Sequence, residues 1–168
     1  MLKQEIAAAL EVAFSQLGFS EPSVAKLQKL SGVSLRTLYK YYPSKQSMII
    51  AALEYRHIRY ISFLLDNAPA PGPDAALHIF DQLKLWMQKF APKGCLSINA
   101  LAAFPEDDVI NNAVQNHKNA VKHLLGEQCL NHSLANTLFL LHEGVSNAWP
   151  VMGDEAVLSA KQSILELM

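Results

Sequence analysis

A chain of 168 residues accommodates one domain or a small pair, and 51% hydrophobic against 17% charged residues is apolar enough to imply surface covered by a partner chain. No apolar run reaches the ~18 to 20 residues of a membrane span, and the start lacks the charged-then-apolar pattern of a secretory signal, which excludes a membrane protein and predicts a cytoplasmic one. The net charge of −1 hides a division: residues 1–60 hold eight Lys and Arg against four Asp and Glu, the remainder six against eleven, so the basic part is suited to nucleic acid.

Ile6, Leu10, Ala13, Phe14 and Leu17 form the apolar stripe of a first helix ending at Gly18. After FSEP, with Pro22 near the next helix start, Val24, Leu27 and Leu30 recur at helical spacing. Ser31-Gly32 stops that helix, and Ser34 caps another carrying Leu35, Leu38 and Tyr39. Two short helices on a glycine turn make a helix-turn-helix pattern, with Phe14, Leu17, Val24, Leu27, Val33 and Leu38 as the shared core. The second motif helix is crowded with Arg36, Thr37, Tyr39, Lys40 and Tyr41, the character of a recognition helix entering a groove lined with phosphates. Arg36 has the paired donors to read guanine and Leu35 an apolar surface for a thymine methyl. Pro43 ends this helix and Ser44 caps the next.

Met48, Ala52, Leu53, Tyr55, Ile58, Ile61, Leu64 and Leu65 predict one long helix from Lys45 to about Asn67, broken by APAPGP. Asp74 is read as the cap of helix 5, whose stripe is Ile79, Leu83, Trp86 and Phe90. A short helix over CLSINALAAF ends at Phe104-Pro105. Glu106 and Asp107 then open a helix that runs to Gly126. Helix 8 is expected over about Ser133 to Ala148 and helix 9 over about Asp154 to Leu167. Both are apolar on more than one face, which predicts a homodimer through these two helices, using Leu134, Leu138, Leu141, Val145 and Trp149 with Val157, Ala160, Ile164 and Leu167.

The opening AAALEVAFSQLGF, the turn GVS, the run TLYKYYPSK and the long helix after it resemble the TetR family of bacterial transcription repressors over roughly forty positions, and GCLSINALA with the closing helices resembles that family's effector domain more loosely. The resemblance implies an all-α chain of about nine helices, with an N-terminal three-helix helix-turn-helix domain (residues 1–46) and a larger ligand-binding and dimerisation domain (residues 47–168). Ser34, Leu35, Arg36, Thr37, Tyr39, Lys40, Tyr41 and Lys45 become the expected DNA contacts, with Tyr39, Tyr41 and Lys45 on phosphates and Tyr42 in the core. The expected activity is that of a repressor released from a palindromic double-stranded operator by a small effector. The effector is expected to be apolar or aromatic, in a cavity lined by Tyr60, Trp86, Phe90, Asn99, His117 and His142. Gln28 departs from the family's small alanine where the motif helices cross. This predicts a slightly wider crossing and keeps open a helical ligand- or protein-binding module that no longer binds DNA.

Neither a cofactor nor a metal is expected, and the chain is not read as an enzyme. His142-Glu143 lacks the second histidine of a zinc-protease helix, no glycine-rich phosphate loop is present, and His117 and His123 are off the i, i+4 ladder. Cys95 and Cys129 have no paired spacing and are expected as buried, reduced thiols, an effector-sensing thiol being the minority reading.

Overall fold

A computed structural model describes residues 1–168. The chain is entirely helical: α1 (Leu2–Leu17), α2 (Val24–Ser31), α3 (Leu35–Tyr41), α4 (Lys45–Leu64), α5 (Pro73–Phe90), α6 (Leu96–Ala103), α7 (Asp108–Gln128), α8 (Ala135–Met152) and α9 (Asp154–Leu167), with a 3-10 turn at His132–Leu134 before α8. None of these helices is long and apolar enough to cross a membrane. By packing the residues fall into two compact units, Met1–Arg59 with Leu96–His117, and Tyr60–Cys95 with Lys118–Met168. The cut at residue 46 divides expected roles, whereas these units divide hydrophobic cores.

The first unit is built on α1, which buries Ile6, Leu10, Ala13 and Phe14 against Leu27 of α2, Leu38 of α3 and Met48, Ile49, Ala52 and Leu53 of α4. Leu17, Val24 and Val33 only flank this core. The turn geometry follows from Gly32, which caps α2 in the left-handed region at φ 70° and donates its N–H to the Lys29 carbonyl. Gln28 ties α2 to the residue before the next cap, its Nε2 donating to the Val33 carbonyl. Tyr42 is buried and donates its hydroxyl hydrogen to the Lys3 carbonyl at 2.9 Å, fastening the end of α3 to the start of α1. A deeper fastening joins α1 to α4. The almost fully buried Glu11 carboxylate accepts from Arg56 through Oε1 and from Arg59 through Oε2, the latter at 3.0 Å. Leu96, Ala100, Ile110 and Val114 complete this core.

The second unit packs α5, α8 and α9 around Ile79, Phe80, Leu83, Leu138, Val145, Val157, Ala160 and Ile164, with Leu64, Val121, Leu124 and Leu125 closing it. Several boundaries differ from the sequence expectation. α4 stops at Leu64 because Asn67 turns left-handed at φ 54°. α5 is capped by Gly72 with Pro73 at its first position, so Asp74 lies in the first turn rather than at the cap. α7 continues past Gly126 to Gln128. That glycine marks close approach instead of a stop, since a Cβ there would lie 2.9 Å from Ala135 Cβ at the start of α8. Pro150 sits within the last turn of α8, which runs on to Met152.

The dimer face read from sequence also changes. Leu138, Val145, Trp149, Val157, Ala160 and Ile164 are all buried in the core of their own unit. Leu167, one of the residues expected at the dimer face, is exposed, and the apolar side chains that α8 and α9 leave most exposed are Leu140 (71% exposed), Val151 (90%), Leu158 (65%) and Leu165 (63%). Their spacings, eleven along α8 and seven along α9, place each pair on one helix face. Periodicity marked both stripes but gave no sign of which faced inward.

Candidate nucleic-acid interface and effector cluster

Helix α3 owes its position to its two ends. Ser34 accepts the Thr37 N–H at 3.1 Å and lies 2.9 Å from the Thr37 hydroxyl, which satisfies part of the first turn. At the other end the Tyr42 N–H donates to the Leu38 carbonyl. Leu38 alone is buried on this helix, so the remaining circumference faces outward. Arg36 and Lys40, one turn apart, are exposed, and Leu35 and Tyr39, also one turn apart, are 48% and 42% exposed beside them. Thr37 and Tyr41 are half-buried, and the Lys40 ammonium stands 5.7 Å from the centre of the Tyr41 ring. Seven of the eight residues expected at DNA thus lie from the Ser34 cap through Tyr41 on one short helix. The eighth, Lys45, begins α4 and donates to the Ser20 carbonyl at 3.3 Å, and burial lowers its pKa. The start of α4 is closed by a reciprocal pair, Ser47 N–H to Ser44 Oγ and Ser44 N–H to Ser47 Oγ.

The six residues expected around an effector separate. Tyr60, Trp86, Phe90 and His142 gather in the second unit, with ring centres 4.9 Å apart for Tyr60 and Trp86 and 4.8 Å for Trp86 and Phe90, and Phe63 joins them edge-on. Asn99 and His117 belong to the first unit. Asn99 is exposed on α6. His117 is buried on α7, stacked on His57 at 4.3 Å and bonded through Nε2 to Glu54 at 2.7 Å.

Behind the aromatic group runs a polar chain that the sequence reading did not assemble. The Tyr60 hydroxyl donates to His142 Nε2, His142 Nδ1 donates to Glu143 Oε1 at 3.0 Å, and Lys118 Nζ donates to both Glu143 oxygens at 2.7 and 2.8 Å. Burial, the largest influence on His142, holds its pKa down and keeps the ring neutral at pH 7, which suits one nitrogen accepting and the other donating. Burial alone would push Glu143 up, but the His142 hydrogen bond and the Lys118 charge outweigh it and hold the carboxyl below its ordinary range. Lys118 is likewise opposed by burial yet raised by Cys95 and Glu143 together, so it stays an ammonium. Its third neighbour is Cys95 Sγ at 3.3 Å. Cys95 is partly exposed, contrary to the expectation for both cysteines, whereas Cys129 is buried with its thiol against the Gly126 and Asn131 carbonyls. Only the neighbouring pair His142-Glu143 signals this chain in sequence; Cys95 and Lys118 are 23 residues apart and join it by folding.

Comparison with known proteins bears on the first of these sites and on the fold. Residues 6–52, covering α1 to the first part of α4, match the family of bacterial regulatory proteins, tetR family. No curated protein sequence matches the chain. Among solved structures, SCO4454, a TetR-family transcriptional regulator from Streptomyces coelicolor, is similar with a TM-score of 0.85 at 15% identity, covering 99% of this chain and 93% of that one. The reduced form of E. coli NemR is similar at 0.81 and 20% identity, covering 98% and 95%, and Salmonella enterica GusR at 0.71 and 16%, covering 99% and 94%. The N-terminal helices thus match the model of the tetR family of bacterial regulatory proteins, and the chain as a whole has the fold of TetR-family regulators.

Proposed function

We propose that the protein is a sequence-specific DNA-binding transcriptional regulator that works as a homodimer, a repressor released from a palindromic operator by a small molecule. The observation that carries this reading is α3 itself: a capped helix with one buried residue, presenting Arg36, Lys40, Leu35 and Tyr39 outward from a tetR-family helix-turn-helix. Arg36 and Leu35 are suited to base edges, while Ser34, Thr37, Tyr39, Lys40, Tyr41 and Lys45 supply groups for the phosphate backbone. Dimerisation through the exposed faces of α8 and α9, at Leu140, Val151, Leu158 and Leu165, would cover apolar side chains that otherwise meet water and would give two recognition helices a two-fold relation.

The effector belongs with Tyr60, Trp86, Phe90 and His142 in this reading. An apolar aromatic molecule suits their ring surfaces, and a neutral one suits a polar chain whose Lys118 and Glu143 charges already cancel. Selection of bound sequences from a random double-stranded DNA pool tests the proposal: an enriched pseudo-palindrome is expected. A dimeric protein that enriches no sequence would overturn DNA recognition and favour a binding module that has kept only the fold.

A further inference from the structure

We infer that Gln28 is a positioning residue for operator recognition: its side-chain amide straps the turn between α2 and α3 and so fixes the end of α3 that reads bases. The inference rests on the DNA-binding reading above and names what sets the aim of its recognition helix. Only Gly32, Val33 and Ser34 separate α2 from α3, and the backbone holds them loosely, the Gly32 N–H reaching the Lys29 carbonyl at 3.3 Å. Gln28 grips that turn twice. Its own carbonyl accepts the Ser31 hydroxyl at 2.9 Å at the close of α2, and its half-buried side chain donates through Nε2 to the Val33 carbonyl. That carbonyl lies one residue ahead of the Ser34 cap, whose own carbonyl accepts the Leu38 N–H and so begins the ladder of α3. The strap therefore holds a group that lies outside the helix's own hydrogen bonds.

The consequence follows from how α3 is held. Leu38 is its one buried side chain, so apolar packing supplies a single point about which a helix of 7 residues can turn. The far end is tied separately, the buried Tyr42 donating its hydroxyl hydrogen to the Lys3 carbonyl of α1 at 2.9 Å. The near end has the Gln28 strap. Released there, α3 stays anchored at Leu38 and Tyr42 while Ser34, Leu35, Arg36 and Thr37 lose their fixed direction. A recognition helix reads base edges mainly from its first residues, and a binding constellation needs its groups held to within about 0.5 Å and about 10 to 20°. The phosphate contacts proposed for Lys40, Tyr41 and Lys45 lie beyond the strapped end and carry no sequence information. Loss of the amide is thus expected to act on discrimination between sequences and not on general affinity for DNA.

The test compares the full-length parent with Gln28→Met, which keeps the length of the side chain and removes the donor, and with Gln28→Lys, whose ammonium can reach the same carbonyl. Amide hydrogen exchange without DNA comes first. In Gln28→Met the Thr37 and Leu38 N–H groups should exchange about tenfold faster while the amides of α1 and α4 keep their protection. Fluorescence anisotropy, at a temperature where thermal melts show every variant fully folded, then gives the affinity ratio between the operator selected by the parent and a scrambled duplex of the same length and composition. Gln28→Met should lower that ratio about tenfold and leave affinity for the scrambled duplex within about twofold. Gln28→Lys should restore the ratio, its added charge strengthening both duplexes alike and so cancelling. A merely structural role would weaken both duplexes together and leave the ratio unmoved. Should Gln28→Met fail to fold, Gln28→Glu, which keeps the shape and turns an acceptor towards the carbonyl, gives the same comparison. Unchanged exchange at Thr37 and Leu38 would overturn the strap, whatever the protein does with DNA. Faster exchange with an unchanged ratio would overturn its part in discrimination. The DNA-binding reading is judged on the parent alone, and a parent that enriches no sequence overturns the role in recognition along with it.

Discussion

In the first packing unit the buried charge is a carboxylate held between two guanidiniums; in the second it is a half-buried ion pair continued by a neutral imidazole and a phenol. Glu11 with Arg56 and Arg59 joins two helices of one core. Tyr60, His142, Glu143, Lys118 and Cys95 instead combine a neutral ring, an ion pair and a thiol beside clustered aromatics. The lesson is that buried polarity serves two ends in this molecule. Where the ions are enclosed in one core they fasten α1 to α4, and where they are half-buried they link a neutral histidine to a lysine beside the aromatic group.

The largest expected effect is on the first cluster. Glu11→Ala leaves the buried Arg56 without its carboxylate and should cost about 3 to 5 kcal/mol of stability in urea titrations. A loss under about 1 kcal/mol would mean that water serves Arg56 equally well and that the fastening is not what holds α1 to α4. Leu158→Asp follows in size. It sets a charge on the exposed apolar face of α9 and should weaken dimerisation by on the order of a hundredfold in sedimentation, whereas Leu140→Ala should weaken it less. If neither shifts the oligomeric state, the dimer uses another face.

Arg36→Ala should cost about 1 to 3 kcal/mol at the preferred operator and relax the preference at one base position, as read from competition with variant operators. Lys45→Ala should weaken all sequences alike and reduce the slope of log K against log salt by about 0.9 per lost phosphate contact. Equal salt slopes would show that Lys45 stays with the Ser20 carbonyl. Gly32→Ala should cost about 1 to 2 kcal/mol, purely through its left-handed backbone, because a Cβ there meets nothing within 4 Å.

The smallest effect is on pH dependence, and each unit contributes one histidine to it. Burial first and the His117 ring second lower His57 to about 4, with Glu54 pulling the other way, and burial also lowers His142. The unfolded chain binds these protons near 6.5, so it takes up protons that the folded chain refuses. Stability should therefore fall as pH drops from about 6.5 towards 4. His57→Gln should reduce the proton uptake on unfolding near pH 5 by about one proton or less, the ring being only half-buried, as measured by the slope of stability against pH. An unchanged slope would show that His57 titrates as it does in the unfolded chain.

The sequence by itself determined what local chemistry determines. Gly32, Ser34 and Ser44 mark helix ends because a short hydroxyl side chain caps and a residue without Cβ turns left-handed, and these positions hold in the structure, whereas the Ser23 cap of α2 emerges only there. The all-helical class, the helix-turn-helix and the outward character of Arg36 and Lys40 follow from the same local rules, since on a short helix with one apolar contact the other faces have nowhere to bury. Tertiary structure decided what spacing along the chain leaves open. A helix with two apolar stripes does not say which one the protomer buries, so six of the nine residues assigned to the dimer face are buried in the protomer, Leu134 and Leu141 are half-buried, and Leu167 lies outside with Leu140, Val151, Leu158 and Leu165. Gly126 had the look of a helix stop, but only the approach of Ala135 shows why a side chain is excluded there. The pairing of Glu11 with Arg56 and Arg59, and of Lys118 with Cys95 and Glu143, joins residues 23 to 48 positions apart. Charge attraction over such separations carries no periodicity, and only the packing of the helices against one another brings those groups within reach.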